Sequence, residues 1–211
     1  MADICPTITA YDVDEYRAQM NRIKPFARRV HIDLMDGHLA PTVSPDVAAV
    51  WWPHTLIADI HLMYQTPETR LKELLRLKPH LVIIHAEASV DHMHFAAQLH
   101  AHDIKAGLAI LQKTPVRSVH RILHSFDHIL IFSGNLGHHG GEADLGLLEK
   151  VREVQEHHPE AEIGWDGGIN TENAARLVGA GVGVLNVGGT IQKASEPAAA
   201  YAKLEEITEN V

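Results

Sequence analysis

Short apolar runs rich in β-branched residues recur eight times along the chain, at "ADICPTI", "RRVHIDL", "TLIADIHL", "HLVIIHA", "IKAGLAI", "HILIFS", "AEIGWD" and "VGVLNVG". Runs of this length read as buried strands. Between them lie segments with the three-to-four-residue rhythm of an amphipathic helix, such as Val13/Tyr16/Met20/Ile23, Leu71/Leu74/Leu75, Leu147/Leu148/Val151/Val154, Ala174/Leu177/Val178 and Tyr201/Leu204/Ile207. Strand then helix, repeated at roughly 26 residues per unit, predicts an α/β chain closed into a single (β/α)8 TIM barrel near its lower size limit. An open doubly wound sheet is the alternative. Gly107 and Gly181 fall where a strand bends or a helix ends. No Pro/Ser/Gly-rich linker and no change of composition divides the 211 residues, so one domain over 1–211 is expected.

Charge narrows the function classes. With 27 Asp+Glu against 18 Lys+Arg the formal charge is −9, the opposite of the basic footprint that nucleic acid or an anionic membrane surface demands. The expected partner is a small molecule, with no nucleic acid and no membrane. Cys5 is the only cysteine, which removes intramolecular disulfides and multi-cysteine zinc sites and suits a reducing, cytoplasmic setting. The first residues lack a basic start and a long apolar run, and no window approaches a membrane span. Many of the 17 histidines, as in "VDHMHFAAQLHAHD", read as a solvated face. Trp51 and Trp52 read as packing residues or as part of a contact between copies.

Three strands carry polar groups where leucines would serve a core. In "RVHIDLMDGH" side-chain alternation puts His31 and Asp33 on one side and Ile32 and Leu34 on the other. "ADIHLM" repeats the pattern with Asp59 and His61, and "GWDGGIN" ends a strand on Asp166. In a barrel the functional groups gather at the C-terminal strand ends, where His31, Asp33, His61 and Asp166 would converge. Two imidazoles and two carboxylates suit one divalent cation of the zinc, iron(II), manganese or cobalt kind. Taken singly, each histidine reads more readily as a core residue satisfied by a carboxylate. Taken together, the desolvation of four such groups in one barrel mouth calls for a compensating cation.

Glycines form a second group. Gly167 and Gly168 follow the seventh strand, while Gly188, Gly189 and Thr190 follow the eighth and open the last helical region. Backbone N–H groups at those two strand ends are where many barrels hold a phosphate. "GNLGHHGGEAD", residues 134–144, is a loop long enough to close over a substrate, with Gly140 and Gly141 free to approach an anion. His138 and His139 within it read as exposed.

These stretches, "HIDLMDGH", "DIHLM", "IIHAEAS", "KAGLAI" with the following "TP", "GNLG..GG", and "WDGGIN" through "NVGGTI", resemble the ribulose-phosphate 3-epimerase family, in family order from Ile4 to about Pro197. The resemblance implies a barrel of the ribulose-phosphate-binding type and an isomerase of the pentose phosphate pathway that inverts C3 of ribulose 5-phosphate. It implies a divalent metal on His31, Asp33, His61 and Asp166, with Asp33 and Asp166 as the two acid/base groups. It also implies substrate contacts from Thr7, Met35, Met63, Gly137, Gly140 and Gly141, and a homo-oligomer. The chain departs from the family in several places. Thr7 stands for a serine, Phe132 for a methionine and Leu111 for an asparagine, and "NLGHHGGE" lacks the family's proline, phenylalanine and glutamine. These departures leave room for another ketose phosphate, such as a ketohexose 6-phosphate, or for a noncatalytic sugar-phosphate binder. A lyase on the same barrel is a further alternative, disfavoured by the absence of a lysine in "ADIHLM".

Overall fold

The computed structural model describes residues 2–209 and 211. Among them eight parallel strands close in sequence order into a barrel, β1 (Asp3–Thr9), β2 (Arg29–Met35), β3 (Ile57–Met63), β4 (Leu81–His85), β5 (Lys105–Ile110), β6 (His128–Phe132), β7 (Glu162–Asp166) and β8 (Val184–Val187), with β8 pairing back onto β1. Each run singled out in the sequence overlaps one strand, to within a residue at its C-terminal end. The helices are α1 (Val13–Ile23), α2 (Leu71–Leu77), α3 (His92–His100), α4 (Val116–Val119), α5 (Leu148–His157), α6 (Ala174–Gly179), α7 (Gly189–Gln192) and α8 (Pro197–Glu209). The strand-helix alternation is imperfect. Between β2 and β3 the chain makes only a 3₁₀ turn, Val47–Ala49, because Pro41, Pro45 and Pro53 deny a helix its N–H donors there. Both α7 and α8 follow β8. No helix among the described residues is long and apolar enough to cross a membrane.

Alternation along the strands creates two separate apolar regions. Outward residues such as Ile8, Val30, Ile32, Leu34, Ile60, Leu62 and Trp165 join the helix faces in one large cluster, which includes Tyr16, Met20 and Ile23 of α1. The helix start is fixed by Asp12, whose carboxylate accepts the Glu15 N–H at 2.8 Å. Trp52 packs against this cluster, whereas Trp51 stays 37% exposed with its ring edge-on to Tyr16.

Inside the barrel the apolar content is small: Leu81, Ile83, Ala109 and Leu130 form a plug of their own. Gly107 narrows the wall beside it, since a Cβ there would meet Ile83 Cγ1 at 2.7 Å. Below the plug lies an ionic network. Arg29 donates to Asp59 at 2.6 Å, to Asp3 at 3.0 Å and to Glu162 at 2.9 Å, and His128 Nδ1 lies 2.7 Å from Glu162. Above the plug, at the C-terminal strand ends, lies the second polar group.

Candidate active site

His31 and Asp33 are successive inward residues of β2, and the register places Asp33 beside His61 of β3. Asp166 ends β7 across the mouth. His61 Nδ1 lies 3.0 Å from Asp33 Oδ1, His31 Nε2 lies 3.3 Å from the same oxygen, and Asp166 Oδ2 is 3.7 Å from both nitrogens. One ligand atom from each of the four lies within 4.8 Å of the others, close enough for one ion. The four residues picked from strand parity therefore meet. Asp59, on the same face of β3, points instead into the basal network with Arg29.

The chemistry of the group fits a cation. His31 is wholly buried, yet neither ring nitrogen makes a hydrogen bond; its contact with Asp33 is close but misaligned. A core histidine would be satisfied. Burial and the neighbouring charge of Asp33 push the Asp166 carboxyl up to about 7. Asp33 goes the other way: burial opposes its ionisation, but contacts with His31 and His61 outweigh that and hold it well below the usual carboxylate range. Thr9 Oγ1 adds a 2.7 Å hydrogen bond to Asp33 Oδ2. Burial lowers His61 to about 3, with Asp33 acting against it, so the ring is neutral at pH 7 and has a lone pair to offer. A cation among these groups would relieve the repulsion between the two carboxylates and fill the vacant valence of His31.

A cavity opens directly above, lined by Thr7, Thr9, Asp33, Met63, Phe132, Asp166 and Asn186 on its floor. Its rim carries Gly137, Gly140, Gly141, Gly167, Gly168, Gly188, Gly189 and Thr190, so every glycine expected to contact substrate or phosphate is there. Met35 is not on that wall. It is buried behind it with Met63, Ala40 and Leu136, its sulfur 3.0 Å from Thr42 Oγ1. Thr190 Oγ1 is already engaged with the Ile169 carbonyl at 2.6 Å, which leaves backbone N–H groups as the free donors of that turn. Gly137 pins the loop after β6, its carbonyl accepting from Thr42 Oγ1 at 2.6 Å. His138 is exposed but lines the cavity, and His139 is half-buried edge-on against Tyr11.

Three contributors were not singled out in the sequence: Thr9, Asn186 and His85. Asn186 is 2% exposed with both amide atoms unpartnered, and Thr7 Oγ1 is likewise buried and unpartnered; both side chains belong to the cavity lining. The signal for Asn186 was its inward parity with Val184 on β8, where the register sets it beside Asp166. His85 stands behind His61, with the two Nε2 atoms 2.8 Å apart.

Residues 3–192 match the family described as Ribulose-phosphate 3 epimerase family. A ribulose-phosphate 3-epimerase of Bacillus subtilis is 29% identical over 217 residues, covering 97% of this chain and 98% of that protein. A ribulose-phosphate 3-epimerase of Rhodospirillum rubrum is 33% identical over 187 residues, covering 86% of this chain and 82% of the relative. Among solved structures, KGPDC from Streptococcus mutans superposes with a TM-score of 0.79 at 9% identity, covering 100% of this chain and 99% of that one. The 3-hexulose-6-phosphate synthase from Salmonella typhimurium gives 0.72 at 12%, covering 99% of each. At such identities the structural likeness speaks to the barrel alone. The sequence match over nearly the whole chain goes further: the chain belongs to the ribulose-phosphate 3-epimerase family.

Proposed function

We propose that this single-domain barrel is an isomerase that inverts C3 of D-ribulose 5-phosphate to give D-xylulose 5-phosphate. The observation that carries the reading is the meeting of Asp33, from β2, and Asp166, from β7, with two imidazoles at the floor of a glycine-rimmed cavity. C3 lies next to the C2 carbonyl, so its proton is removable if the resulting enediolate charge is stabilised. A divalent cation of the zinc, iron(II), manganese or cobalt kind, held by His31, Asp33, His61 and Asp166, would supply that stabilisation as a Lewis acid.

The remaining work falls to side chains and backbone. One carboxylate takes the C3 proton and the other delivers a proton to the opposite face, so direction exchanges their roles. Their environments are already unequal, with Asp33 held ionised and Asp166 raised, which suits a pair that must differ in protonation at each moment. Thr7 Oγ1 and the Asn186 amide, both buried without partners, supply hydrogen bonds to sugar oxygens. Met63 and Phe132 keep the reacting carbons in an apolar setting. Backbone N–H groups around Gly167, Gly168, Gly188, Gly189 and Thr190 receive the phosphate. Gly137, Gly140 and Gly141 let the loop after β6 approach the substrate. Met35 supports Met63 from behind. We place the enzyme in the cytoplasm as a homo-oligomer, which size-exclusion chromatography checks.

Solvent exchange tests the reaction. Metal-loaded protein turning over ribulose 5-phosphate in D2O incorporates deuterium at C3 of the product. Failure to exchange that position would overturn the proposal, and exchange with a ketohexose 6-phosphate but not with ribulose 5-phosphate would reassign the substrate.

A further inference from the structure

We propose that Glu87 and His85 form a buried relay that biases the tautomer of His61 toward Nε2–H, against the pull of Asp33 on Nδ1, and so raises the affinity of the site for the cation. The inference rests on the cation reading above and assigns His85 and Glu87 as positioning residues.

His85 ends β4 on its inward side and is wholly buried. Its ring stacks on that of His61 at 4.9 Å between centroids and 24° between planes. The Nε2 atoms, 2.8 Å apart, must share one proton. Two arrangements are possible. If His85 donates, His61 accepts on Nε2 and must carry its own proton on Nδ1, which faces Asp33 Oδ1; a protonated Nδ1 is no ligand. If His61 donates, its Nδ1 keeps a lone pair pointed at the place where the four ligand atoms converge.

Asp33 Oδ1, 3.0 Å from His61 Nδ1, favours the first arrangement before a cation binds; what opposes it is the far side of His85. Its Nδ1 faces Glu87 Oε2 at 3.4 Å, a charge contact outside hydrogen-bond alignment, and neither atom has a hydrogen-bond partner among the described residues. A carboxylate there favours the proton on Nδ1, and a neutral imidazole with Nδ1–H has an acceptor at Nε2. His61 is thereby pulled toward the donor role, which a cation bound to Asp33 and His61 Nδ1 would complete.

The carboxylate is itself held in place. Glu87 Oε1 accepts the Leu111 N–H at 3.2 Å and the Thr114 hydroxyl. Lys150, reaching up from α5, secures that loop by donating to the carbonyls of Leu111, Gln112 and Thr114 at 2.6, 2.9 and 2.6 Å. The chain of contacts runs from α5 through the loop after β5 to the cation site. The Phe132 ring lies 5.9 Å from His61 and 6.0 Å from His85, shielding the nitrogen pair on one side so that water does not compete for the shared proton.

The test uses the full chain, with zinc as the probe. Competition against a chromophoric chelator gives the zinc Kd of wild type, H85F, H85Q and E87Q. Nitrogen-15 NMR of the metal-free proteins reports which His61 nitrogen is protonated. We expect H85F to weaken zinc binding by about ten- to a hundredfold, the usual effect of removing a ligand's outer partner. H85Q, whose amide oxygen accepts the same N–H, restores most of it. Relative to wild type, E87Q shifts the His61 proton from Nε2 toward Nδ1. Equal zinc affinity in wild type, H85F and E87Q, or the same His61 proton distribution in wild type and E87Q, overturns the relay. Should H85F fail to fold, E87Q and the spectra decide alone. A wild type that takes up no zinc overturns the cation reading and the relay with it. Tight zinc binding indifferent to these substitutions overturns the relay alone.

Discussion

Asp33 and Asp166 face one cavity but differ in what surrounds them. Asp33 is gripped by Thr9, His31 and His61, whereas Asp166 has burial and a like charge against it. If each moves a proton on one face of the substrate, Asp33→Asn and Asp166→Asn both lower kcat by a factor on the order of 10² to 10⁴. Steady-state kinetics on metal-loaded protein checks this, and near-normal turnover in either variant removes that residue from the proton path. These carboxylates were legible in the sequence because a charged residue at an inward strand position has no apolar explanation. So were His31 and His61. Thr9, Asn186 and His85 obey the same parity but were passed over. One hydroxyl, one amide or one histidine on a strand is ordinary, and their partners come from other strands. Asn186 meets the cavity only because β8 closes onto β1, a long-range event that local spacing does not encode.

At the level of elements, the strand runs were readable to within a residue or two because β-branched apolar runs with polar breaks have few other uses. The connections were less so. The missing helix between β2 and β3 was foretold only by its prolines, and α4 spans just four residues whose packing, not periodicity, makes them helical. The junction after β7 shows how tightly a connection can be specified. Gly167 has φ +111° and Gly168 φ +70°, and a Cβ on Gly167 would collide with the backbone of Gly134 while one on Gly168 would collide with that of Ala143. The turn after β7 thus nests against both ends of the loop after β6, and neither can shift cheaply. Gly167→Ala should destabilise the fold by about 1–3 kcal/mol from backbone strain alone. It should also raise KM more than it lowers kcat, because the rim moves while the acid/base pair stays. Thermal unfolding and kinetics measured on the same preparation check both parts; an unchanged Tm with unchanged KM contradicts them.

Across the whole molecule, the barrel interior is a sandwich of an upper polar site, an apolar plug and a lower ionic network, and the two polar ends answer to different agents. The upper end answers to the cation, which binds the folded chain and not the unfolded one. At a free concentration of 100 times Kd it would add about 2.7 kcal/mol. For a chain of this length that corresponds to roughly 5–10 °C in Tm, lost on adding chelator and absent in His31→Ala. The lower end answers to pH. Burial pushes the Glu162 carboxyl up, but hydrogen bonds from His128 and Arg29 outweigh this and hold it well below the usual glutamate range. The unfolded chain therefore takes up the proton first as pH falls. The stabilisation is complete above the unfolded value of about 4.3 and is lost progressively below it. Because cation ligands also compete with protons, the measurement belongs in chelator, where the upper site no longer contributes metal-linked stability. Under those conditions Tm of the wild type falls from pH 6 to pH 3, and Glu162→Gln starts lower and falls less steeply. An identical slope in the two proteins would mean that the acid sensitivity resides in other carboxylates and that the basal network holds the barrel equally well with Glu162 neutral.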